Sequence, residues 1–278
     1  MTELVRSGEP QAEASERPAA PSPAAAVGDD HGRTAKVGFG RLTLVELRKL
    51  ADTRAGLWLL IVIGLGAAGT AAIMLGFAPD AEQTFNQFFQ FGLLPTSVLL
   101  PVLGILSMTS EWSQRTALAT FTLVPARGRV IAAKLAAGAL IAVAATAVTF
   151  GIAAAGNLLG IALGGDGNWS MSAALLGQAV LGQVVYVLMG LGFGALLMNS
   201  PLAIVTYFAL PTLWSVLGEV IKGLRSVAGW LDLNATSLPL SEPGMTGDQW
   251  ARFAVSAAVW VVVPVVLGTV RALRREVA

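Results

Sequence analysis

Residues 55–79, 83–110, 135–165, 167–218 and 253–270 contain no Asp, Glu, Lys or Arg. About 20 helical residues cross a hydrocarbon core roughly 30 Å thick, so each run is long enough to span a bilayer. The fourth run is too long for a single crossing. It divides at "NSP", Asn199 to Pro201, because Pro does not continue a helix comfortably. Six helices result. With 55% hydrophobic and only 13% charged residues, the composition lies outside the range of soluble globular domains. The expected fold is an all-α membrane protein of six transmembrane helices.

The start of the chain differs in kind. "SGEPQAEASERPAAPSPAAAVGDD" is rich in Ala, Pro, Glu and Ser and holds no apolar run, so it cannot bury enough surface to fold. Residues 1–39 read as a disordered tail, 40–56 as an amphipathic helix and 57–278 as the six-helix domain. The opening lacks the pattern of a cleavable signal peptide. His31, the single histidine, falls in this tail with no second ligand or base near it, which argues against a metal or catalytic role.

Orientation follows from Lys and Arg, which stay on the cytoplasmic side in short loops. With the amino terminus inside, all but Lys222, Arg225 and Arg252 of the 18 basic residues fall in cytoplasmic segments. Both termini are therefore expected in the cytoplasm, as is the segment between the second and third spans.

That segment, "EWSQRTALATFTLVPARGRVIAAKL", concentrates charge in a chain that otherwise avoids it. Glu111 precedes Arg115 by four residues, the favourable order for a helical ion pair. Pro125 disfavours a helical Val124, so a helix starting near Glu111 is expected to stop near Leu123. Arg127, Gly128 and Arg129 are then expected to form a basic turn, with Lys134 snorkelling from the first turn of the third span. A plain basic loop that only enforces topology accounts for the same residues.

Residues 40–56 form a second element on this side. Leu42, Val45, Leu47 and Leu50 interleave with Arg41, Glu46, Arg48, Lys49, Asp52 and Arg54, the pattern of a helix lying on a bilayer surface. A solvated basic stop that attracts anionic lipid fits equally.

An amphipathic entry helix, six spans, and a loop carrying Glu111, Thr116, Pro125, Arg127 and Lys134 resemble the permease subunits of type-2 ATP-binding cassette (ABC) exporters. Arg115 departs from the pattern, since members often have Gly before the Thr. The resemblance implies that the loop is a coupling helix docking on a separate ATPase subunit through Glu111, Arg115, Thr116, Pro125, Arg127, Arg129 and Lys134. Arg41, Glu46, Arg48 and Lys49 of the entry helix would complete the surface. It further implies a homodimer, or a heterodimer with a similar permease, in a bacterial cell membrane. ATP and Mg would be bound by the partner and no cofactor by this chain, and no nucleic-acid partner is expected.

The chain itself contains no G-x-x-x-x-G-K-[ST] loop to hold ATP phosphates. No ionisable group falls in the middle of a span, which disfavours an ion-coupled transporter. With no Cys, and no His beyond the tail, it lacks the material for a nucleophile or metal site, so no enzyme is expected. A membrane scaffold docking some other cytoplasmic protein is the main alternative.

Three patterns concern packing. Gly64, Ala68, Ala72 and Gly76 make a small-residue stripe in the first span, and Gly190 and Gly194 form G-x-x-x-G in the fourth; both are expected to pack inside the bundle. Gln178, Gln183 and Tyr186 are polar within the fourth span and either line a path or bond neighbouring helices. Leu213, Leu217, Val220, Leu224, Val227 and Leu231 predict an amphipathic helix after a bend at Pro211.

Overall fold

A computed structural model describes residues 38–113 and 127–274, without the side chains of 111–113 and 127. Residues 1–37 of the tail, and the whole stretch from Arg115 to Pro125, lie outside the described residues. Among the described residues all regular structure is helical, and six helices are long and apolar enough to cross a membrane. We number the α-helices in chain order: α1 Phe39–Asp52, α2 Arg54–Phe77, α3 Phe85–Ser113, α4 Arg127–Ala162, α5 Ala173–Leu197, α6 Ser200–Val220, α7 Arg225–Leu231, α8 Leu233–Ser237, α9 Gly247–Ala257 and α10 Val263–Arg274. A π-helical turn, Ala258–Val262, joins α9 to α10, so the two act as one crossing.

Helices α3 and α5 form the centre, with α2, α4, α6 and α10 around them. Their contact is close because glycines stand where side chains would collide. A Cβ on Gly190 would lie 2.5 Å from the Pro101 carbonyl oxygen, and one on Gly194 would lie 3.0 Å from the Cβ of Met108. The G-x-x-x-G pair thus packs inside the bundle, as expected. The stripe of Gly64, Ala68, Ala72 and Gly76 does not. No atom lies within 4 Å of a Cβ built on Gly64 or Gly76, and α2 instead buries Ile63, Ala67, Ala71 and Met74. Ile63 and Met74 bury more apolar area than Gly64 and Gly76 can, which favours their row for the inward face.

The break at "NSP" has a clear local cause. Met198 ends α5 in the left-handed conformation (φ 52°), and the Asn199 side chain then accepts from the Leu202 amide at 3.0 Å to cap α6. Pro201 falls in the first turn of the new helix, where its missing N–H costs nothing. The π-turn has a proline cause as well. Pro264 has no N–H to give the Trp260 carbonyl four residues back, and the helix widens there.

Two expectations about boundaries are corrected. Arg127–Gly128–Arg129 is not a turn: α4 already starts at Arg127 and continues for 36 residues, about 54 Å at 1.5 Å per residue. On the other side of the loop, α3 runs through Glu111 to Ser113 without interruption, so Glu111 continues α3 rather than starting a new helix.

The amphipathic helix expected over 213–231 is likewise absent. Pro211 sits inside α6, which continues to Val220; the chain then turns at Ile221, and the Cβ of Ala228 packs against Gly218. Leu213, Leu217, Val220 and Val227 are exposed. Residues 225–241 fold back among the spans, anchored by hydrogen bonds to three helices. Trp260 Nε1 donates to the Leu231 carbonyl at 2.6 Å, Ser215 donates to Asp232 at 2.8 Å, and Tyr186 donates to Ser237 at 2.9 Å. Thr236 pairs with Ser256, both buried, at 2.5 Å. Asp232 also caps α8 through the amides of Asn234 and Ala235.

Candidate functional site

The end of the bundle that carries α1 gathers the basic residues singled out in the sequence. α1 meets α2 at a sharp corner set by Thr53, whose hydroxyl accepts from the Gly56 amide at 3.1 Å. Glycine is needed at position 56, because a Cβ there would stand 1.9 Å from the Leu50 carbonyl oxygen. This corner turns α1 back across the bundle, where it packs chiefly on α4.

The face that α1 buries is Thr43, Glu46 and Leu50, while Arg41, Leu44, Val45, Arg48 and Lys49 are exposed. Glu46 therefore lies on the packed face, not among the wet charges. It retains only 4% of its exposure, as does Lys134 of α4. Lys134 Nζ donates to Glu46 Oε2 at 2.5 Å, and Lys49 Nζ donates to Oε1 at 2.7 Å. Lys134 also reaches the Ser107 carbonyl of α3 at 3.5 Å. One buried carboxylate thus joins α1 to α4, and its main partner touches α3. Burial alone would push the Glu46 carboxyl up, but the charges and hydrogen bonds of Lys134 and Lys49 outweigh it and hold the group below the usual carboxylate range.

Lys134 does not snorkel, and the reason is arithmetic of position. α4 begins at Arg127, so Lys134 lies two turns inside the helix, against α1 and not at a water-facing end. The sequence carried a signal for Glu46: it lies between Leu42, half-buried, and Leu50, buried, on one four-residue row of the helix.

Of the expected docking residues, Glu46, Lys49 and Lys134 come together. Arg41 and Arg48 project from the outer face of α1, and Arg129 is half-buried in the first turn of α4. Arg115, Thr116 and Pro125 lie outside the described residues, as do the side chains of Glu111 and Arg127. The described backbone is helical up to Ser113 on the α3 side and from Arg127 on the α4 side. Nearby, Arg271 of α10 donates to the Leu196 carbonyl at 2.7 Å, and Thr109 bonds Ser200 at 2.6 Å, so the α5–α6 break is tied into the same end. Among the described residues no three His, Cys, Asp or Glu side chains could hold a metal ion.

No protein-family model matches this chain, and no curated protein matches it.

Proposed function

We propose that this chain is the membrane-spanning permease subunit of an ATP-driven exporter, working with a separate ATPase that docks at the α1 end. The observation that carries the reading is the Glu46–Lys134 pair, which joins a basic surface helix to the base of the long α4, next to where the 114–126 loop leaves α3 and enters α4. An ATPase needs such a lever: a surface element that it can grip and that moves a span. Further support comes from the six apolar helices long enough to cross a membrane, and the chain holds no phosphate-binding loop of its own, which agrees with an energy source on another chain. On this reading the α1 end and both termini are cytoplasmic in a bacterial cell membrane. Two permease copies, or this chain and a similar one, enclose the path, and ATP-driven closure of the partners switches it outward.

The test uses the loop. Glu111→Lys is expected to leave insertion normal but to weaken ATPase co-purification by tenfold or more, since a like-charge contact at an interface costs on the order of a few kcal/mol. Pro125→Ala is expected to bind the ATPase and to transport poorly, because the loop then runs on as helix. Parent-like binding and transport by both variants, at equal membrane levels, would show that the charges only set topology.

A further inference from the structure

The end of the bundle opposite α1 holds polar groups that the docking reading does not use. Gln178 and Gln183 of α5 are 5% and 4% exposed, and neither side-chain carbonyl oxygen has a hydrogen-bond partner. The Gln90 Nε2 of α3 is also buried without one. All three line one cavity of about 140 Å³ between α3, α5 and the returning segment, closed by Ser237, Leu240 and Ser241. A second cavity of about 220 Å³ adjoins it, sharing Ser97 and Tyr186 and continuing along Met189, Phe208 and Pro211. Among the described residues no Asp, Glu, Lys or Arg side chain lines either cavity.

Gln178 Nε2 does donate to the Glu242 carbonyl at 3.4 Å, but a buried amide oxygen or nitrogen without a partner is costly, and native proteins rarely leave several facing one space. The cleft offers unpaired acceptors on α5 and an unpaired donor on α3, so its occupant must bring both donors and acceptors. A hydroxyl does both. A charged head group finds no counter-ion in the lining, and burying it there would be unfavourable. The second cavity keeps polar walls in Ser97, Tyr186, Tyr207, Thr212 and Asn234, which extend the space for hydroxyls, while Leu94 and Phe208 stand exposed at the rim, 55% and 39%, where an alkyl chain can leave towards lipid. We propose that this cleft binds an uncharged amphiphile with a hydroxyl-rich head, such as a sugar- or polyol-headed lipid-like molecule. The head would sit against Gln90, Gln178 and Gln183 and the chain along Phe208. This inference is independent of the ATPase reading, and its test needs the chain alone.

The experiment places the purified full chain in nanodiscs of phosphatidylcholine with a trace of photoreactive octyl glucoside, and maps the cross-links by mass spectrometry. Labelling should saturate and concentrate in the peptides holding Gln90–Ser97 and Gln178–Tyr186. Unlabelled octyl glucoside should compete, whereas octyltrimethylammonium and octyl sulfate of equal chain length should not. Gln178→Leu combined with Gln183→Leu should cut labelling by about tenfold, as expected for losing one or two hydrogen bonds, while thermal stability holds or rises because unpaired amides are gone. Should that double variant fail to fold, Ser97→Phe, which fills the shared wall, is expected to block labelling equally. Labelling that spreads over the lipid-facing helices, or survives these substitutions, would mean that water alone satisfies the amides, and would overturn the proposal. Equal competition by the charged octyl compounds would overturn the assigned head-group class.

Discussion

Lys134→Met is the most informative single change, because it removes the charge while nearly keeping the side-chain volume. Glu46 would then remain 4% exposed, held only by Lys49, whose own side chain is 44% exposed and whose attraction is accordingly screened. Breaking a buried pair from one side costs roughly 3–5 kcal/mol, and the surviving Lys49 contact places the expected loss near the lower figure, about 3 kcal/mol. Glu46→Gln alone should cost less, about 1–2 kcal/mol, since the amide still accepts from Lys134. The double variant, Lys134→Met with Glu46→Leu, removes both charges of the pair and should lie within about 1 kcal/mol of the parent. A cycle of thermal or denaturant unfolding in one detergent measures all of these, and hydrogen exchange over α1 tells whether the loss is local. The reasoning fails if Lys134→Met costs under about 0.5 kcal/mol, or if the double variant is no better than the worse single variant.

Other outcomes follow from the same structure. Reporters fused after Ala278 and within the tail are expected to read cytoplasmic and those near Asp80, Asp166 and Pro243 external; a cytoplasmic signal at Asp166 would break the six-crossing topology. Gly190→Ala should destabilise by about 1–3 kcal/mol through its clash with the Pro101 carbonyl, whereas Gly64→Ala should be neutral or stabilising by up to about 1 kcal/mol; comparable losses in thermal unfolding would contradict the α3–α5 packing. The depressed Glu46 group contributes stability that is fully present above its unfolded pKa of about 4.3 and is lost as pH falls through its lower folded value. The parent should therefore lose stability relative to the Glu46→Leu/Lys134→Met variant, which lies close to it at neutral pH, only below about pH 4. A constant difference down to pH 3 would refute that linkage.

The crossings were legible because lipid imposes one rule on every residue of a run, and a run without charge obeys it wherever the neighbours sit. The "NSP" break was legible for the same kind of reason, since the Asn199 cap and Pro201 act within one turn. What was hidden depends on distant partners. A lysine in a stretch of Ala and Val looks like a terminus, and it takes a partner such as Glu46, 88 positions away, for α4 to bury it. The stripe on α2 shows small residues, but not whether a neighbour exists on that side. The returning segment 225–241 owes its shape to Tyr186, Ser215, Ser256 and Trp260, none of which its own periodicity reveals. Its leucines and valines spell a helical stripe, and hydrogen bonds to three spans overrule it.

The placement of the buried pair bears on how a docked partner could move the bundle. A surface helix held to a membrane domain by apolar contact alone can slide, because such contacts are non-directional. Glu46 and Lys134 forbid sliding without breaking a hydrogen-bonded ion pair in a dry setting, so α1 and the first turns of α4 move as one body. α4 is also about 54 Å long, well beyond the roughly 30 Å of hydrocarbon, and it packs along α3 and α5 for much of that length. On the exporter reading, a push delivered to α1 or to the loop between α3 and α4 therefore reaches the bundle as a tilt of α4. The far end is hydrogen-bonded differently, through α5, α6 and α9 to the returning segment, so a tilt of α4 changes its distance from that cap instead of carrying the cap along. Cutting the pair should then separate two properties. Lys134→Met with Glu46→Leu should keep ATPase binding and ATP turnover but lose transport per ATP, as the grip on α1 no longer turns α4. If that stable double variant transports as efficiently as the parent, the pair is a packing device and the lever lies elsewhere.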